Sequence, residues 1–180
     1  MYLIIFMKKN KAKIIWFTGL SGVGKTTLSN KLYDILKKKN KILKLDGDNF
    51  RKRKKNFKNF SRKNILDNNY DIIRYISKRK NNFDYILVSV ISPLIKTRLY
   101  AKKKFKDDYF EIYLHCRIKT LIHRDTKKLY KKAIEKKIDN LIGFNSSVKY
   151  EKSIYPNIRI NTDVLSINKS IDKILKKITV

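Results

Sequence analysis

The chain has 180 residues, 42% of them hydrophobic, and carries 45 Lys and Arg against 15 Asp and Glu, which gives a net charge of +30. This length suits a single domain with a full core, the hydrophobic content argues against a disordered chain, and no apolar run approaches the ~20 residues of a membrane span. Because only nine of the basic residues are Arg, the residue that base readout and bidentate phosphate contacts favour, the charge alone does not indicate a nucleic-acid-binding protein.

The chain begins with a short apolar stretch ahead of the predicted domain. Met1–Phe6 is shorter than the apolar core of a secretory signal, and its positive charges follow it instead of preceding it. We interpret residues 1–13 as an N-terminal extension, or as the product of a start codon assigned too early with Met7 as the true start. Residues 14–180 are then predicted to form a single domain.

The first predicted strand, Ile14–Phe17, leads into a phosphate-binding motif, and a predicted helix over residues 28–39 follows it. Gly19–Thr26 reads GLSGVGKT and matches the pattern G-x-x-x-x-G-K-[ST] without a mismatch. A glycine loop between a strand and a helix N-terminus arranges backbone N–H groups around a polyphosphate. The motif predicts ATP as the phosphate donor and the following nucleotide-binding residues: Gly19, Ser21, Gly22, Val23, Gly24, Lys25, Thr26 and Thr27.

Two residues of this loop have separate predicted roles. Lys25 is expected to reach the outer phosphates, and the Thr26 hydroxyl is expected to bind Mg²⁺. Without a ligand, we expect the Lys25 side chain to face solvent.

Strands and helices alternate along the rest of the chain. The apolar runs predict strands at 42–45, 85–91, 110–114 and 158–160, and helical periodicity predicts helices at 65–80, 96–104, 119–137 and 166–178. Such alternation is typical of a three-layer α/β fold with a central, mainly parallel sheet and helices on both faces. Ligands of such sheets bind beyond the carboxyl ends of the strands, where the glycine loop, Asp48 and Ser92 are expected to lie.

Two carboxylates, Asp46 and Asp48, follow the second predicted strand. Phosphoryl transfer needs cations on the phosphates and a group that orients the attacking hydroxyl. We predict that Asp48 accepts the proton of the acceptor hydroxyl or holds Mg²⁺ through water. The alternative is that both carboxylates cap the next segment or pin a turn.

A basic stretch with interleaved aromatic residues comes next. Residues 51–63 carry Phe57 and Phe60 among Lys and Arg, which suits nucleic acid or a nucleotide with an anionic tail. A solvated charged loop explains the same composition. Together with the net charge, this stretch also supports a function of a different class, a non-catalytic polyanion-binding domain on the same fold.

The single cysteine limits the redox chemistry of the chain. Cys116 cannot form an internal disulfide, and its strand-like surroundings predict a core position. A chain without disulfides fits the reducing cytoplasm, which is the predicted location.

The motifs together resemble those of the adenylyl-sulfate (APS) kinases over residues 14–178. The segments that carry the resemblance, in this order and spacing, are Gly19–Leu28, Leu45–Arg51, Phe60-Ser61, Ile91–Pro93, Arg124-Asp125, Leu129–Ala133 and Tyr150-Glu151. The resemblance implies a P-loop kinase fold and transfer of the γ-phosphoryl group of ATP to the ribose 3′-hydroxyl of APS, which gives PAPS. It also implies use of Mg²⁺, a small-molecule nucleotide as acceptor, and a homodimer as the common assembly.

The resemblance assigns catalytic roles by position. Lys25 and Thr26 handle ATP and Mg²⁺, and Asp48 is the acid–base or metal-orienting carboxylate. Arg124 lies in a segment that resembles a lid over the nucleotides, where cations neutralise charge in the transition state. The other cations of this lid segment are Lys127 and Lys131.

The resemblance also implies a set of acceptor contacts. Arg51 grips the anionic tail, and the Phe60 ring stacks on the base. Some members of the family have been proposed to phosphorylate the serine equivalent to Ser92, but we expect direct in-line transfer here. The remaining implied contacts are Asn68 (or Asn69, where the register is open), Ile91, Ser92, Lys131 and Leu141.

Departures from the family pattern lie on the acceptor side. Ile65 stands where the family has an acceptor-binding Arg, and Leu141 stands where it has a second base-stacking Phe. Ile95 replaces a further Arg, and Asn140 replaces a Gly. A lost charged contact costs ~1.5–3 kcal/mol and a lost stacking face ~1–3 kcal/mol, so these changes would weaken APS recognition by orders of magnitude if nothing replaced them.

Two acceptors therefore stay open within the kinase class. One is APS, bound in an acceptor pocket that has diverged from the family pattern and in which Arg62, Lys63 or another neighbouring cation replaces the lost arginine. The retained D-G-D-N and I-S-P segments and Phe60 favour this acceptor. The other is a different nucleotide with a short tail, such as the cytidine diphosphoramidate used in capsule modification. A smaller pyrimidine base would tolerate Leu141 in place of Phe.

Overall fold

A parallel β-sheet forms the centre of the protein. Within residues 12–53 and 60–178, which a computed structural model describes, the sheet has five strands. They are β1 (Lys13–Thr18), β2 (Ile42–Asp46), β3 (Tyr85–Ser89), β4 (Tyr109–His115) and β5 (Ile158–Asn161). Their order is β2-β3-β1-β4-β5, and neighbouring strands are parallel. The predicted α/β fold is confirmed.

Helices connect the strands, and seven of them fall within the described residues. They are α1 (Lys25–Leu36), α2 (Gly47–Lys52), α3 (Arg62–Ser77), α4 (Ile95–Phe105), α5 (Ile118–Arg124), α6 (Leu129–Ile134) and α7 (Ile167–Ile178). The short helix α2 is absent from the sequence prediction. It forms because the Asp46 carboxylate accepts the N–H groups of Asp48 (3.0 Å) and Asn49 (3.2 Å) at its N-terminus.

The single helix predicted over residues 119–137 is wrong, because the structure divides it into α5 and α6. The two oxygens of the Asp125 carboxylate accept the backbone N–H groups of Tyr130 (3.1 Å) and Lys131 (2.8 Å) and so start a new helix. Lys128 lies between the two helices with φ of 53°, in the left-handed region that a continuous helix does not use. The break creates a connection, residues 125–128, that faces the functional site.

Separate hydrophobic cores cover the two faces of the sheet, as the three-layer prediction requires. Ile15 and Phe17 of β1 pack with α1 and α7 on one face. Ile14 and Trp16 pack with α3 and α4 on the other. All four side chains are fully buried, which explains why this strand is apolar throughout instead of alternating.

Most of the predicted N-terminal extension lies outside the described residues, whereas the single cysteine lies at the edge of a hydrophobic core. Strand β1 begins at Lys13, one residue before the predicted strand, and residues 1–11 lie outside the described part of the chain. Cys116 packs against the core shared by α1 and α7, and burial raises the pKa of its thiol. Among the residues that the structure describes, no helix is long and apolar enough to span a membrane.

Candidate active site

A cavity of about 500 Å³ lies beyond the carboxyl ends of β1, β2 and β3. The polar edge of the sheet forms its floor, as expected for this class of fold. The predicted site residues that line it are Ser21, Gly22, Val23, Gly24, Lys25, Thr26, Thr27, Asp48, Arg51, Phe60, Asn68, Ile91, Ser92 and Arg124. Three other predicted site residues, Gly19, Lys131 and Leu141, do not line it.

The glycine loop has the backbone shape that the phosphate-loop motif predicts. Gly24 has φ of 98° and directly precedes α1. The first backbone N–H groups of this helix have no partner within the helix and are available to a phosphate in the loop. A Cβ atom on Gly19 would lie 2.3 Å from the carbonyl oxygen of Leu114. Gly19 therefore contributes close packing of the loop on β4, whereas the later loop residues, from Ser21 to Thr27, line the cavity.

The Lys25 side chain folds back over the loop and does not face solvent as the sequence prediction expects. Its Nζ donates to the carbonyl oxygens of Gly19 (3.0 Å) and Leu20 (2.7 Å). Burial lowers the pKa of Lys25 to about 8; the charge of Lys127 adds to this shift, and Asp48 and Asp46 oppose it. A phosphate in the loop would replace the two carbonyl partners with an anionic one.

The two carboxylates at the end of β2 have different roles: one caps helix α2, and the other faces the cavity. Asp46 caps α2 and also accepts the Thr26 hydroxyl, with Oγ1 3.2 Å from Oδ2. Asp48 instead directs its carboxylate across the cavity, where Oδ2 accepts Lys127 Nζ at 2.5 Å. The capping alternative therefore describes Asp46, and the cavity-facing one describes Asp48.

The Asp48 carboxyl is held in its charged form. Burial raises its pKa, but the hydrogen bond and charge of Lys127, together with the charges of Lys25 and Arg51, outweigh burial and lower the pKa below its usual value. A carboxylate in this state can accept a hydrogen bond or a proton from a hydroxyl group.

At one end of the cavity, the predicted residue Arg124 contacts a turn that the sequence analysis did not assign to the site. Arg124 donates to Thr162 through Nη1 (3.1 Å to Oγ1) and Nη2 (2.6 Å to the carbonyl). Thr162 follows β5, the last strand, and the turn from there into α7 supplies further lining residues: Leu165, Ser166, Ile167 and Ser170. The rule that ligands lie beyond the carboxyl ends of parallel strands could have identified this turn.

The opposite end carries the predicted acceptor residues. The Arg51 guanidinium lies 4.6 Å from the centre of the Phe60 ring. Asn68 is only 1% exposed and lines the cavity, and within the described residues neither its amide nitrogen nor its amide oxygen has a hydrogen-bond partner. An unpaired buried amide destabilises the protein unless water or a ligand satisfies it. Asn68 is therefore ready to both donate to and accept from a bound molecule.

Asn69, the alternative register for the acceptor asparagine, has a structural role instead. Its amide nitrogen donates to the Ile65 carbonyl (2.8 Å), and its oxygen accepts the Ser92 hydroxyl (2.8 Å). Ser92 is fully buried and has φ of 47°, and Arg98 donates to its carbonyl. The Ser92 hydroxyl is thus committed to the protein, and only the turn that contains it borders the cavity.

The residues that depart from the family pattern form an apolar cluster beside the acceptor end. Ile65 is fully buried against Leu94, Ile142 and Val148. Leu141 is 5% exposed and packs into the core shared by α1 and α7, so the cavity wall is formed by its neighbour Ile142. The predicted contact from Leu141 is displaced by one residue because adjacent side chains point in different directions.

Several predicted cations do not reach the cavity. Lys131 Nζ lies 3.9 Å from Glu135 on the outer side of α6, and Lys127 of the preceding connection lines the cavity instead. Arg62 lies 3.7 Å from a Glu151 oxygen, and neither it nor Lys63 borders the cavity. Of the basic stretch at residues 51–63, the part that contains Phe57 lies outside the described residues.

Known proteins resemble this chain along most of its length. Residues 11–161 match the family described as adenylylsulphate kinase. The cytidine diphosphoramidate kinase of Campylobacter jejuni is 33% identical over 171 residues, which cover 94% of this chain and 98% of that protein. The probable adenylyl-sulfate kinase of Pseudomonas aeruginosa is 32% identical over 167 residues, which cover 91% of this chain and 76% of that protein.

A solved structure extends the similarity to the fold. The Mycobacterium tuberculosis APS kinase in complex with AMPPNP and APS matches with a TM-score of 0.84 at 28% identity. The match covers 95% of this chain and 99% of that one.

Proposed function

The chain belongs to the adenylylsulphate kinase family and is therefore an ATP-using phosphotransferase, and we propose that it phosphorylates the ribose 3′-hydroxyl of APS to give PAPS. Family membership argues against the alternative of a non-catalytic polyanion-binding domain.

The observation that carries the proposal is a single cavity with a phosphate loop at one wall and unsatisfied acceptor contacts at the other. Lys25 and Thr26 border it on the loop side. Phe60 offers a ring face beside the Arg51 guanidinium, and Asn68 offers an unpaired buried amide. An aromatic face, a cation and an amide are the groups that bind a base with an anionic tail.

Asp48 is the proposed group that orients the acceptor hydroxyl. Its carboxylate is charged because Lys127, Lys25 and Arg51 lower its pKa despite burial. A charged carboxylate accepts the hydrogen bond of a hydroxyl and takes up its proton as the phosphoryl group is transferred. For this role, Asp48 must exchange its contact with Lys127 for one with the acceptor.

Lys25, Arg124 and Lys127 are the proposed cations of the transition state. All three line the cavity. Phosphoryl transfer spreads negative charge over the transferred group and the leaving phosphate, and fixed cations stabilise that charge. If Lys127 separates from Asp48, its ammonium group becomes available to the phosphates in the cavity.

The residues around Thr26 fit Mg²⁺, which would neutralise phosphate charge during the transfer. Thr26 and Asp46 supply oxygen atoms, the ligand type that Mg²⁺ prefers. Across residues 12–53 and 60–178, no group of three or more His, Cys, Asp or Glu side chains could hold a metal ion. A site that takes most of its ligands from water and phosphate suits Mg²⁺.

The apolar cluster favours a second acceptor, cytidine diphosphoramidate. Ile65 is buried among hydrophobic side chains, and Arg62 pairs with Glu151 outside the cavity. Neither residue therefore adds a second cation to Arg51 for the sulfate of APS. Ile142 lines the cavity beside the position where the family has a second aromatic ring, and a pyrimidine, which is smaller than adenine, would tolerate an aliphatic side chain in place of that ring.

A direct comparison of acceptors tests the proposal. ADP release from Mg²⁺-ATP would be measured with APS, with cytidine diphosphoramidate and with no acceptor, and the Asp48→Asn variant would serve as the inactive control. Saturable turnover of APS at micromolar concentration supports APS and eliminates the second candidate. Turnover with the cytidine nucleotide alone reverses that assignment. Release of ADP with neither acceptor above the control contradicts both.

The assembly and location are further parts of the proposal. The family resemblance supports a homodimer, and multi-angle light scattering would test it by giving twice the 21.5 kDa chain mass. The absence of a second cysteine in the sequence is compatible with the cytoplasm. Fractionation of the native cells would test that location.

A further inference from the structure

Thr18, the last residue of β1, makes a side-chain contact where the pairing of β1 with β3 ends. The last register pair of these strands is Phe17 with Ser89. One more backbone bond follows, from the Val90 N–H to the Phe17 carbonyl (3.2 Å). Beyond it, the Thr18 hydroxyl donates to the Ile91 carbonyl at 2.6 Å. A side-chain hydrogen bond thus continues the connection between the two strands one step past their last register pair.

This bond joins the two walls of the nucleotide cavity. Thr18 directly precedes Gly19, the first residue of the phosphate loop. Ile91 begins the turn at residues 91–93, which lines the cavity on the side of the proposed acceptor contacts. Thr18 itself is fully buried and is not among the lining residues. Its hydroxyl therefore bonds to the protein, and a ligand in the cavity meets only the loop and the turn that this bond connects.

The donor and the acceptor of each hydrogen bond at Thr18 can be assigned. Thr18 has one hydroxyl proton, and a carbonyl oxygen can only accept, so this proton goes to Ile91. The Tyr150 hydroxyl lies 2.8 Å from Thr18 Oγ1 and must therefore donate to it. Burial raises the pKa of Tyr150, which keeps the proton on this hydroxyl. The Thr18 hydroxyl is thus held in one orientation by a partner on each side.

A buried ion pair holds the other side of the same turn. Arg98 of α4 is 3% exposed, and its guanidinium donates to the Ser92 carbonyl and, at 2.6 Å, to the Glu151 carbonyl. Its Nε lies 3.5 Å from Glu111 Oε1, so the buried charge is paired. Ser92 has φ of 47°, which residues other than glycine keep only where their surroundings enforce it. The turn is therefore held in one shape, and Thr18 connects that shape to the phosphate loop.

On these grounds, and resting on the proposed function, we propose that Thr18 is a positioning residue for phosphoryl transfer, and that its bond to Ile91 fixes the spacing between bound ATP and the acceptor. In-line transfer needs the reacting atoms ~3–3.5 Å apart, and a displacement of about 1 Å can lower the rate about 10²-fold. Thr18 acts through the backbone of the loop and of the turn and touches neither substrate. Its loss should therefore lower the rate of transfer and leave nucleotide affinity unchanged.

The test separates kcat from nucleotide binding. Thr18→Val keeps the shape of the side chain without its hydroxyl, and Thr18→Ser keeps the hydroxyl. ADP release from Mg²⁺-ATP would be measured with APS and with cytidine diphosphoramidate, and kcat taken with the acceptor that the wild type turns over. Calorimetry would give the ADP affinity. Thr18→Val is expected to lower kcat by up to about 10²-fold at unchanged ADP affinity, and Thr18→Ser is expected to keep the kcat of the wild type.

Thr97→Val is the matched control. Thr97 is also fully buried, and its hydroxyl donates to the Leu94 carbonyl (2.8 Å) at the start of α4. It also lies 3.4 Å from the Ser92 hydroxyl, which keeps its bond to Asn69 in this variant. Thr97→Val therefore loses a buried hydroxyl without disconnecting the loop from the turn, and we expect it to keep the kcat of the wild type.

The outcomes distinguish this proposal from the proposed function. An unchanged kcat in Thr18→Val, an equal fall in Thr97→Val, or a loss of ADP affinity that matches the loss of kcat overturns the positioning role and leaves the kinase function intact. If Thr18→Val does not fold, Thr18→Cys takes its place because a thiol is a weak donor, and an unchanged kcat there overturns the role. A wild type that turns over neither acceptor contradicts the proposed function as well.

Discussion

Lys127 donates to Asp48 at 2.5 Å, and this contact joins the connection between α5 and α6 to helix α2 across the nucleotide cavity. Each side chain is about half exposed. Exposed ion pairs stabilise proteins by only ~0–1 kcal/mol, so this pair contributes little to folding. Its importance lies in bringing a lid cation and the proposed hydroxyl-orienting carboxylate to the same place.

Replacement of Lys127 is therefore expected to affect catalysis more than stability. Lys127→Met should lower kcat by ~10²–10³, the loss typical of a group that stabilises transition-state charge, and should change the free energy of unfolding by less than ~1 kcal/mol. Steady-state kinetics and urea unfolding measure the two effects. Lys132→Met, at an exposed position of α6, is the control. Equal kinetic effects in both variants would show that only general charge matters.

Nucleotide affinity should depend on pH through Lys25. Because burial lowers the pKa of this lysine to about 8, the ligand-free protein loses the proton as the pH rises through about 8. A bound phosphate favours the charged amine, so the pKa is higher in the complex. ADP affinity is therefore expected to fall above pH ~8, by up to about tenfold per pH unit.

Calorimetric ADP titrations from pH ~7 to pH ~9.5 check this expectation, since that range spans the shifted pKa. Lys25→Met removes the titrating amine, so the remaining weak affinity should not vary with pH in the same way. An affinity in the wild type that is constant or rises over this range would contradict the assignment of Lys25 to the phosphates.

The neighbouring asparagines of α3 should give opposite results. Asn68 has an unpaired amide in the cavity, so Asn68→Ala should raise the acceptor KM about 5- to 150-fold, equivalent to ~1–3 kcal/mol, and leave stability unchanged or higher. Asn69 bonds to Ser92 and Ile65, so Asn69→Ala should lower the free energy of unfolding by ~1–3 kcal/mol. Kinetics and thermal unfolding of both variants distinguish the roles. Destabilisation by Asn68→Ala with an unchanged KM would be inconsistent with an acceptor contact.

A single substitution at Ile65 should not restore the arginine that the family has there. Ile65 is fully buried with Leu94, Ile142 and Val148, and an unpaired charge in such a cluster is strongly unfavourable. Ile65→Arg should therefore destabilise the protein without improving APS turnover, whereas Ile65→Val should cost only ~0.5–1.5 kcal/mol. Thermal unfolding and the ADP-release assay test both variants. A stable Ile65→Arg variant with a lower KM for APS would show that the pocket still accommodates the family's contact.

Sequence patterns predict the sheet and the phosphate loop because both depend on local signals. The apolar run of β1 and the glycines of Gly19–Thr26 require no knowledge of distant residues. The direction of individual side chains is a different matter. Asp46 and Asp48 are equivalent in the sequence, and only the start of α2 assigns one to capping and the other to the cavity.

The same limit explains the errors around the lid and the acceptor wall. The periodicity of residues 119–137 continues across the helix break, because capping by the Asp125 carboxylate depends on a turn that apolar spacing does not reveal. Leu141 and Ile142 have nearly identical chemistry, so a pattern cannot tell which one faces the cavity. Tertiary packing decides both cases.

Ser92 should not carry a phosphate during the reaction. Its side chain is fully buried and its hydroxyl donates to Asn69 at 2.8 Å, so attack on ATP would require the turn that contains it to open. Intact-mass and peptide mass spectrometry after incubation with Mg²⁺-ATP should find no phosphate on this residue. Ser92→Ala leaves the Asn69 oxygen unpaired and should cost ~1–3 kcal/mol of stability, while the folded variant should retain turnover because the γ-phosphoryl group passes directly to the acceptor. A phosphoserine whose formation keeps pace with turnover would overturn the in-line route.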